Sequence, residues 1–352
     1  MPSAAPRFRA GLIGCGNIAS RYDERPAGGR HRFTHAGMYS AAERFALVGA
    51  ADPAAERLAA CGAFWNISAL FASPVDMVRA CEPDVVSIAT PDDTHASVTL
   101  SLLDAPRPPR VVFLEKPLAT DSATGLRVLR ACRDAGVVPV VNYVRRWDEN
   151  HARACDFLAG GGLGAILSVT GAYVRGIRHN GCHLVHMLKR LFGPVAGVVA
   201  QGGAGRGSFP GDPSLDVELR FAAGPVARLT ALDPTGYNYS IYEIDIFGER
   251  GRLRFVDNGR RIELHTAMAD PDFPDFRRLV PANEPWCGST YDEAMLRAGD
   301  HLLAILDGGV PDPERAARDA LDDLIVIEAA LASAENGGVL VHPAPTDIQA
   351  VR

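Results

Sequence analysis

The chain has 352 residues, 47% hydrophobic and 22% charged, which suits two ordinary globular domains and excludes a disordered or fibrous protein. A formal net charge of −6, with no basic tract, argues against nucleic acid and anionic membrane as partners. No run approaches the roughly 18 apolar residues of a membrane span, and the first six residues lack a signal peptide's charged start and apolar run; seven cysteines without a CxxC pair predict a reducing, cytoplasmic setting rather than a disulfide framework.

From residue 8 to about residue 143, apolar segments alternate with helix-like ones. Strands are expected at 8–13, 46–51, 85–89, 111–114 and 137–141, and helices at 53–61, 75–81, 95–104 and 122–135. Strands that alternate with helices of this length form βαβ units around a parallel sheet. The first domain, residues 1–143, is therefore predicted to be α/β and dinucleotide-binding.

The first predicted strand runs into Gly14-Cys15-Gly16-Asn17-Ile18-Ala19, a G-x-G-x-x-A turn read as opening a helix. Its first glycine permits a tight turn, its second lets a pyrophosphate approach the backbone, and Ala19 lets helix and strand pack closely. The N–H groups at such a helix start attract phosphate. Asp52 ends the second predicted strand, where an acid accepts hydrogen bonds from the adenosine ribose, though it lies well beyond the usual roughly 20-residue spacing. The polar stretch 21–35, which carries His35, absorbs the excess as an insertion over the site mouth. Helix capping is the plain alternative for Asp52. Pro53 and Ala54 follow it without a cation for a 2′-phosphate, which favours NAD(H) over NADP(H).

The second half reads differently. A helix at 149–159 precedes a glycine run and strands at 166–174, 195–200, 215–221, 226–232, 241–247, 252–256 and 261–265. Short turns between strands predict a mostly antiparallel open sheet. A helix near 182–191 interrupts the series, and helices near 291–306 and 313–334 close the chain. Residues 202–211 and 271–285 read as surface loops. Residues 144–352 are thus assigned to an α+β domain for substrate binding and oligomerisation.

Several blocks carry a family resemblance. They are the glycine turn, Thr90-Pro91-Asp92-Asp93-Thr94-His95, Glu115-Lys116-Pro117-Leu118-Ala119, Asn142-Tyr143-Val144-Arg145-Arg146-Trp147, Gly181-Cys182-His183-Leu184-Val185 and Ile244–Gly251. In this order they resemble the glucose–fructose oxidoreductase and inositol dehydrogenase family, Gfo/Idh/MocA. The resemblance implies an N-terminal Rossmann domain, a C-terminal open sheet and hydride transfer between NAD(H) and a hydroxyl-bearing ring carbon of a sugar, nucleotide sugar or cyclitol. It places Thr90, Pro91, His95, Glu115 and Arg146 with Lys116 around the cofactor, often with a cis peptide before Pro117. It also implies a homodimer or homotetramer built through the broad sheet face.

Oxidising an alcohol requires the protein to position a carbon and accept a proton. Lys116, just past the end of a parallel strand, is suited to hold the alcohol oxygen and stabilise developing negative charge. His183 aligns with the family's active-site histidine, and imidazole suits acid/base work because its reference pKa is roughly 6.5. Two positions where many relatives carry aspartate hold His179 and His186 here. His179 is therefore a third catalytic candidate, with Asn180 beside it, and a non-catalytic NAD- or sugar-binding regulator is the alternative reading. Three histidines at helical spacing also raise a metal site, but Gly181 interrupts the helix and no carboxylate completes a set, so no metal is expected. Tyr143 and Trp147 are candidate substrate contacts through their ring faces; Tyr173, Arg175 and Tyr237-Asn238-Tyr239 are weaker ones.

Overall fold

A computed structural model describes residues 7–24, 32–202, 211–232, 241–282 and 290–344. Its first part comprises β1 (Phe8–Ile13), α1 (His35–Ala41), β2 (Phe45–Ala51), α2 (Ala55–Trp65), β3 (Leu70–Phe71), α3 (Pro74–Cys81), β4 (Val85–Ile88), α4 (His95–Leu103), β5 (Val111–Glu115), α5 (Ser122–Asp134) and β6 (Val138–Asn142). The six strands form a parallel sheet in the order β3-β2-β1-β4-β5-β6. Such a sheet buries both faces, which explains why β4 and β5 read as continuous apolar runs. The order reverses at β1, flanked by β2 and β4, and ligands bind beyond the strand ends at such a point.

The second part comprises α6 (Glu149–Ala159), β7 (Ile166–Tyr173), α7 (Cys182–Phe192), β8 (Val195–Gly202), β9 (Leu215–Phe221), β10 (Val226–Ala231), β11 (Tyr242–Gly248), β12 (Gly251–Val256), β13 (Arg261–Ala269) and β14 (Arg277–Pro281), followed by α8 (Ala294–Leu306) and α9 (Arg315–Glu335). The strands form an eight-stranded sheet, β14-β13-β12-β11-β7-β10-β9-β8. All pairs are antiparallel except β7 with β10. The class is therefore a Rossmann-like parallel sheet joined in sequence to a larger, mostly antiparallel one.

The chain divides into two compact units. Among the described residues, those up to Trp147 pack with Asp292–Asp322, and Asp148–Tyr291 pack with residues 323–344. In the first unit, Met295, Ala298 and Leu302 of α8 join Met38, Tyr39, Phe113 and Val140 in one core, while Leu12, Ala19, Ala50, Leu58 and Cys61 form another. In the second, alternation along β9 and β10 buries Val217, Leu219 and Leu229 and turns Glu218, Arg220 and Arg228 outward, where Glu218 pairs with both arginines. Arg252 and Arg254 similarly pair with Asp245 and Glu263.

Three local expectations change. The glycine turn opens not a standing α-helix but a five-residue π-helical turn, Asn17–Arg21, where Arg21 N–H and Tyr22 N–H bond the carbonyls five residues back. The next α-helix waits until His35, capped by the Thr34 hydroxyl. The short edge strand β3 was not foreseen, and β14 occupies part of the stretch read as a loop. Arg277, Arg278 and Pro281 give β14 no apolar alternation, as befits an exposed edge.

Candidate active site

The glycine turn joins β1 to β4. Gly14 has φ +86°, and a Cβ there would lie 2.5 Å from the Ala89 carbonyl oxygen, so only glycine fits. At Gly16 a Cβ would meet nothing within 4 Å. That clear space, beside an exposed Asn17 and a half-buried Ile18, is where a pyrophosphate needs to approach. Cys15 is buried, and its N–H donates to Asp52 Oδ2 at 2.8 Å. Asp52 Oδ1 accepts Ala54 N–H at 2.8 Å, a capping bond, and Arg57 Nε stands 3.4 Å from Oδ2. The acid therefore braces the turn, and a cation does stand within reach of it, on α2 rather than in the residues directly after it.

Lys116 follows β5 through a cis Lys116–Pro117 bond and is half-buried. Behind it runs a buried chain of side chains. Tyr39 Oη lies 2.8 Å from Ser87 Oγ, which lies 2.8 Å from His35 Nδ1. His35 Nε2 lies 2.9 Å from Glu115 Oε1, which accepts Asn142 Nδ2 at 2.6 Å; Asn142 Oδ1 accepts Trp147 Nε1 at 2.9 Å. One donor assignment satisfies every link: Tyr39 to Ser87 to His35 Nδ1, then His35 Nε2–H to Glu115. Burial pushes the Glu115 carboxyl up, but its contacts with His35, with Asn142 and with the Lys116 ammonium outweigh that, and the group sits below the usual glutamate range. His35 therefore lies in the core under the lysine turn and does not line an insertion over a pocket. His95 performs a similar fastening: its fully buried ring spans from Pro117 O at 2.7 Å to Thr90 O at 2.9 Å. It ties together the Thr90-Pro91 turn and the lysine turn.

The histidine segment belongs to the second unit. Arg175 takes a left-handed conformation, and a π-helical turn, Gly176–Gly181, leads into α7. His179, Asn180 and His183 are half-buried. His186 is turned inward, its Nδ1 2.7 Å from Asp323 Oδ2, while Lys189 Nζ lies 2.8 Å from Asp323 Oδ1. Burial pushes Asp323 up, but the Lys189 charge and the His186 contact more than reverse it, so its carboxyl lies below the ordinary range. His186 therefore has a carboxylate after all, supplied by α9. Among the described residues, no three His, Cys, Asp or Glu side chains are grouped to hold a metal ion.

Other candidates take supporting places. Tyr173 is fully buried, and its hydroxyl bonds both the carbonyl and the N–H of Leu215, at 2.6 and 3.0 Å, which pins β7 to β9. Tyr143 is buried as well. Arg146 pairs with Asp319 at 2.6 Å and lies 5.9 Å over the Trp147 ring, which stacks near His301. Burial, then Arg146, pushes His301 below the usual histidine value. Tyr237, Asn238 and Tyr239 lie outside the described residues. Sequence reasoning missed Ser87, Asn142, Asp212 and Asp323. Asn142 carries a signal that was available, since it ends a parallel strand beside the one bearing Lys116; Asp212 and Asp323 carry none.

The glycine turn, the acid after β2 and the Lys-Pro turn after β5 define a class. Residues 8–143 match the model of the GFO_IDH_MocA family, described as an oxidoreductase family with an NAD-binding Rossmann fold. Along nearly its whole length the chain is similar to D-apiose dehydrogenase of Paraburkholderia graminis, 23% identical over 94% of this chain and 88% of that protein. Inositol 2-dehydrogenase of Mycolicibacterium gilvum is 30% identical over 51% of this chain and 55% of that protein. The fold matches the WlbA dehydrogenase of Bordetella pertussis, solved with NADH and UDP-GlcNAcA, with a TM-score of 0.77 at 24% identity over 97% of this chain and 99% of that one.

Proposed function

We propose that this protein is an NAD(H)-dependent dehydrogenase of a CH–OH group on a sugar, nucleotide sugar or cyclitol, cytoplasmic and homo-oligomeric. One observation carries the reading: a lysine at the end of a parallel strand, backed by a buried carboxylate and flanked in the same sheet by a glycine turn with open space before it. The residues that hold the cofactor are Gly14 to Ile18, Asp52, Thr90 and Pro91, with His95 fastening the last two. NAD(H), when bound, supplies the hydride acceptor or donor. Lys116 holds the alcohol oxygen and offsets its growing negative charge. Glu115, held ionised by His35 and Asn142, fixes the backbone next to that lysine. His183 takes the hydroxyl proton, with His179 and Asn180 on the substrate side. The relatives' names support this substrate class, and the Asp52 carboxylate, whose charge would oppose a 2′-phosphate, favours NAD(H).

The test is turnover with NAD+ on myo-inositol, D-apiose and levoglucosan. Lys116→Ala and His183→Ala should each lower kcat by about 10²- to 10⁴-fold, with NADH affinity, read by fluorescence, within about twofold of wild type. Normal turnover in both variants sinks the assignment. NADH binding without turnover across the panel supports a non-catalytic binding protein instead.

A further inference from the structure

The 176–181 turn leads into α7, the helix that carries His183. Four successive amides of that turn point at one short segment, residues 212–214. Asp212 Oδ1 accepts Arg178 N–H at 2.8 Å and Oδ2 accepts His179 N–H at 2.8 Å. Pro213 O accepts Ile177 N–H at 2.9 Å, and Ser214 Oγ accepts Gly176 N–H at 3.4 Å. Asp212 is only 7% exposed. A Cβ on Gly176 would come within 2.2 Å of its Oδ2, and Gly176 has φ +77°. Arg175, just before, holds φ 66°, unusual for a residue with a side chain. The turn therefore departs from ordinary helix entry, and its backbone alone does not favour that shape. A buried carboxylate that accepts two charge-assisted bonds is suited to enforce it.

The structure assigns Asp212 as a positioning residue: its carboxylate fixes the 176–181 turn and through it the His179 and His183 side chains. This inference rests on the proposed dehydrogenase reading for its effect on turnover, but not for its effect on the turn. The turn's first amides would otherwise lack partners, since a helix leaves its leading N–H groups unsatisfied. Asparagine at 212 keeps the shape but places an NH2 against one of two N–H donors, so one bond is lost and replaced by a repulsive contact.

Two readouts test it on the full chain, in Asp212→Asn and Asp212→Ala. Hydrogen exchange over residues 174–184 should speed up at least about tenfold in both variants, with the Rossmann segments unchanged. With the best panel sugar, kcat should fall at least about tenfold while NADH affinity stays within about twofold. On a His183→Ala background the same change at 212 should cost less than in wild type, because only the part that acts through His179 remains. Unchanged exchange overturns the inference, as does an equal loss of kcat in both backgrounds. Should no panel sugar be oxidised by wild type, or should His183→Ala keep full turnover, the dehydrogenase roles fail, and the exchange result alone decides the role of Asp212.

Discussion

Two short π-helical turns carry much of the proposed chemistry, Asn17–Arg21 after β1 and Gly176–Gly181 before α7, and they are held in different ways. Turns of this kind are rare and concentrate at functional sites. The first hangs mainly on strands that pair anyway: Gly14 N–H bonds Ala51 O and Ala89 N–H bonds Ile13 O, with one side chain, the Asp52 carboxylate just after β2, accepting Cys15 N–H. The second hangs on side chains from distant parts of the sequence, Asp212 and Ser214 at its amides and Asp323 at His186 on the following helix. A turn held by a sheet comes with the fold. A turn held by borrowed side chains depends on residues that the strand pairing does not itself supply, here Asp212, Ser214 and Asp323.

The sharpest way to break the comparison is at Gly14. Alanine there incurs about 1–3 kcal/mol for a positive φ on a non-glycine residue and about 1–3 kcal/mol more for the contact with the Ala89 carbonyl. Because the turn and the β1–β4 junction share that contact, Gly14→Ala should lower thermal stability and weaken NADH binding at least about tenfold together. A variant of normal stability and normal NADH affinity would show that the first turn is not held by its sheet.

The second turn predicts a different pattern. Asp323→Ala leaves Lys189 and His186 in the core without their acid, a change that costs about 3–5 kcal/mol for buried pairs. NADH binding at the glycine turn should be unaffected at temperatures where the variant stays folded. The same pair sets a pH dependence. The Asp323 carboxyl is held below its unfolded value of about 3.9, so its contribution is complete at neutral pH and drains away as pH falls through the acid range below about 4. Urea midpoints measured from pH 7 down to pH 3 should therefore fall less steeply in Asp323→Asn than in wild type. An equal slope would remove Asp323 from the support of α7.

Sequence legibility follows the same division. Strands β1, β9 and helix α6 stand where their patterns put them, because apolar runs and alternation report burial in a sheet directly. Gly14, Asp52 and Lys116 were legible because each sits at the end of a parallel strand, a place the chain order marks. Asp212 and Asp323 were not, since nothing local distinguishes an aspartate that will be buried against a turn 33 residues or a helix 137 residues away. Tyr173 illustrates the converse: an aromatic at a strand end reads as a ligand platform, whereas its hydroxyl is consumed by the backbone of Leu215. His35 was read with a polar insertion, yet its ring lies under β5, because the α1 helix that carries it packs on the sheet.

The smallest predicted effect sits at the rim of the first turn. Arg57 is 47% exposed and 3.4 Å from the Asp52 carboxylate, so the pair is worth at most about 1 kcal/mol after solvent screening. Arg57→Ala should leave the fold and the bond from Cys15 N–H to the Asp52 carboxylate in place, since that bond does not involve the guanidinium. What changes is charge: without the guanidinium, the acid confronts a 2′-phosphate undiluted. The preference for NAD+ over NADP+, measured as a ratio of kcat/KM values, should rise by up to about fivefold, the factor that about 1 kcal/mol allows. A fall in the ratio would mean that Arg57 helps the acid hold the ribose hydroxyls rather than masking its charge. The first turn would then depend on a second side chain from outside its strands, and the contrast between the two turns would narrow further.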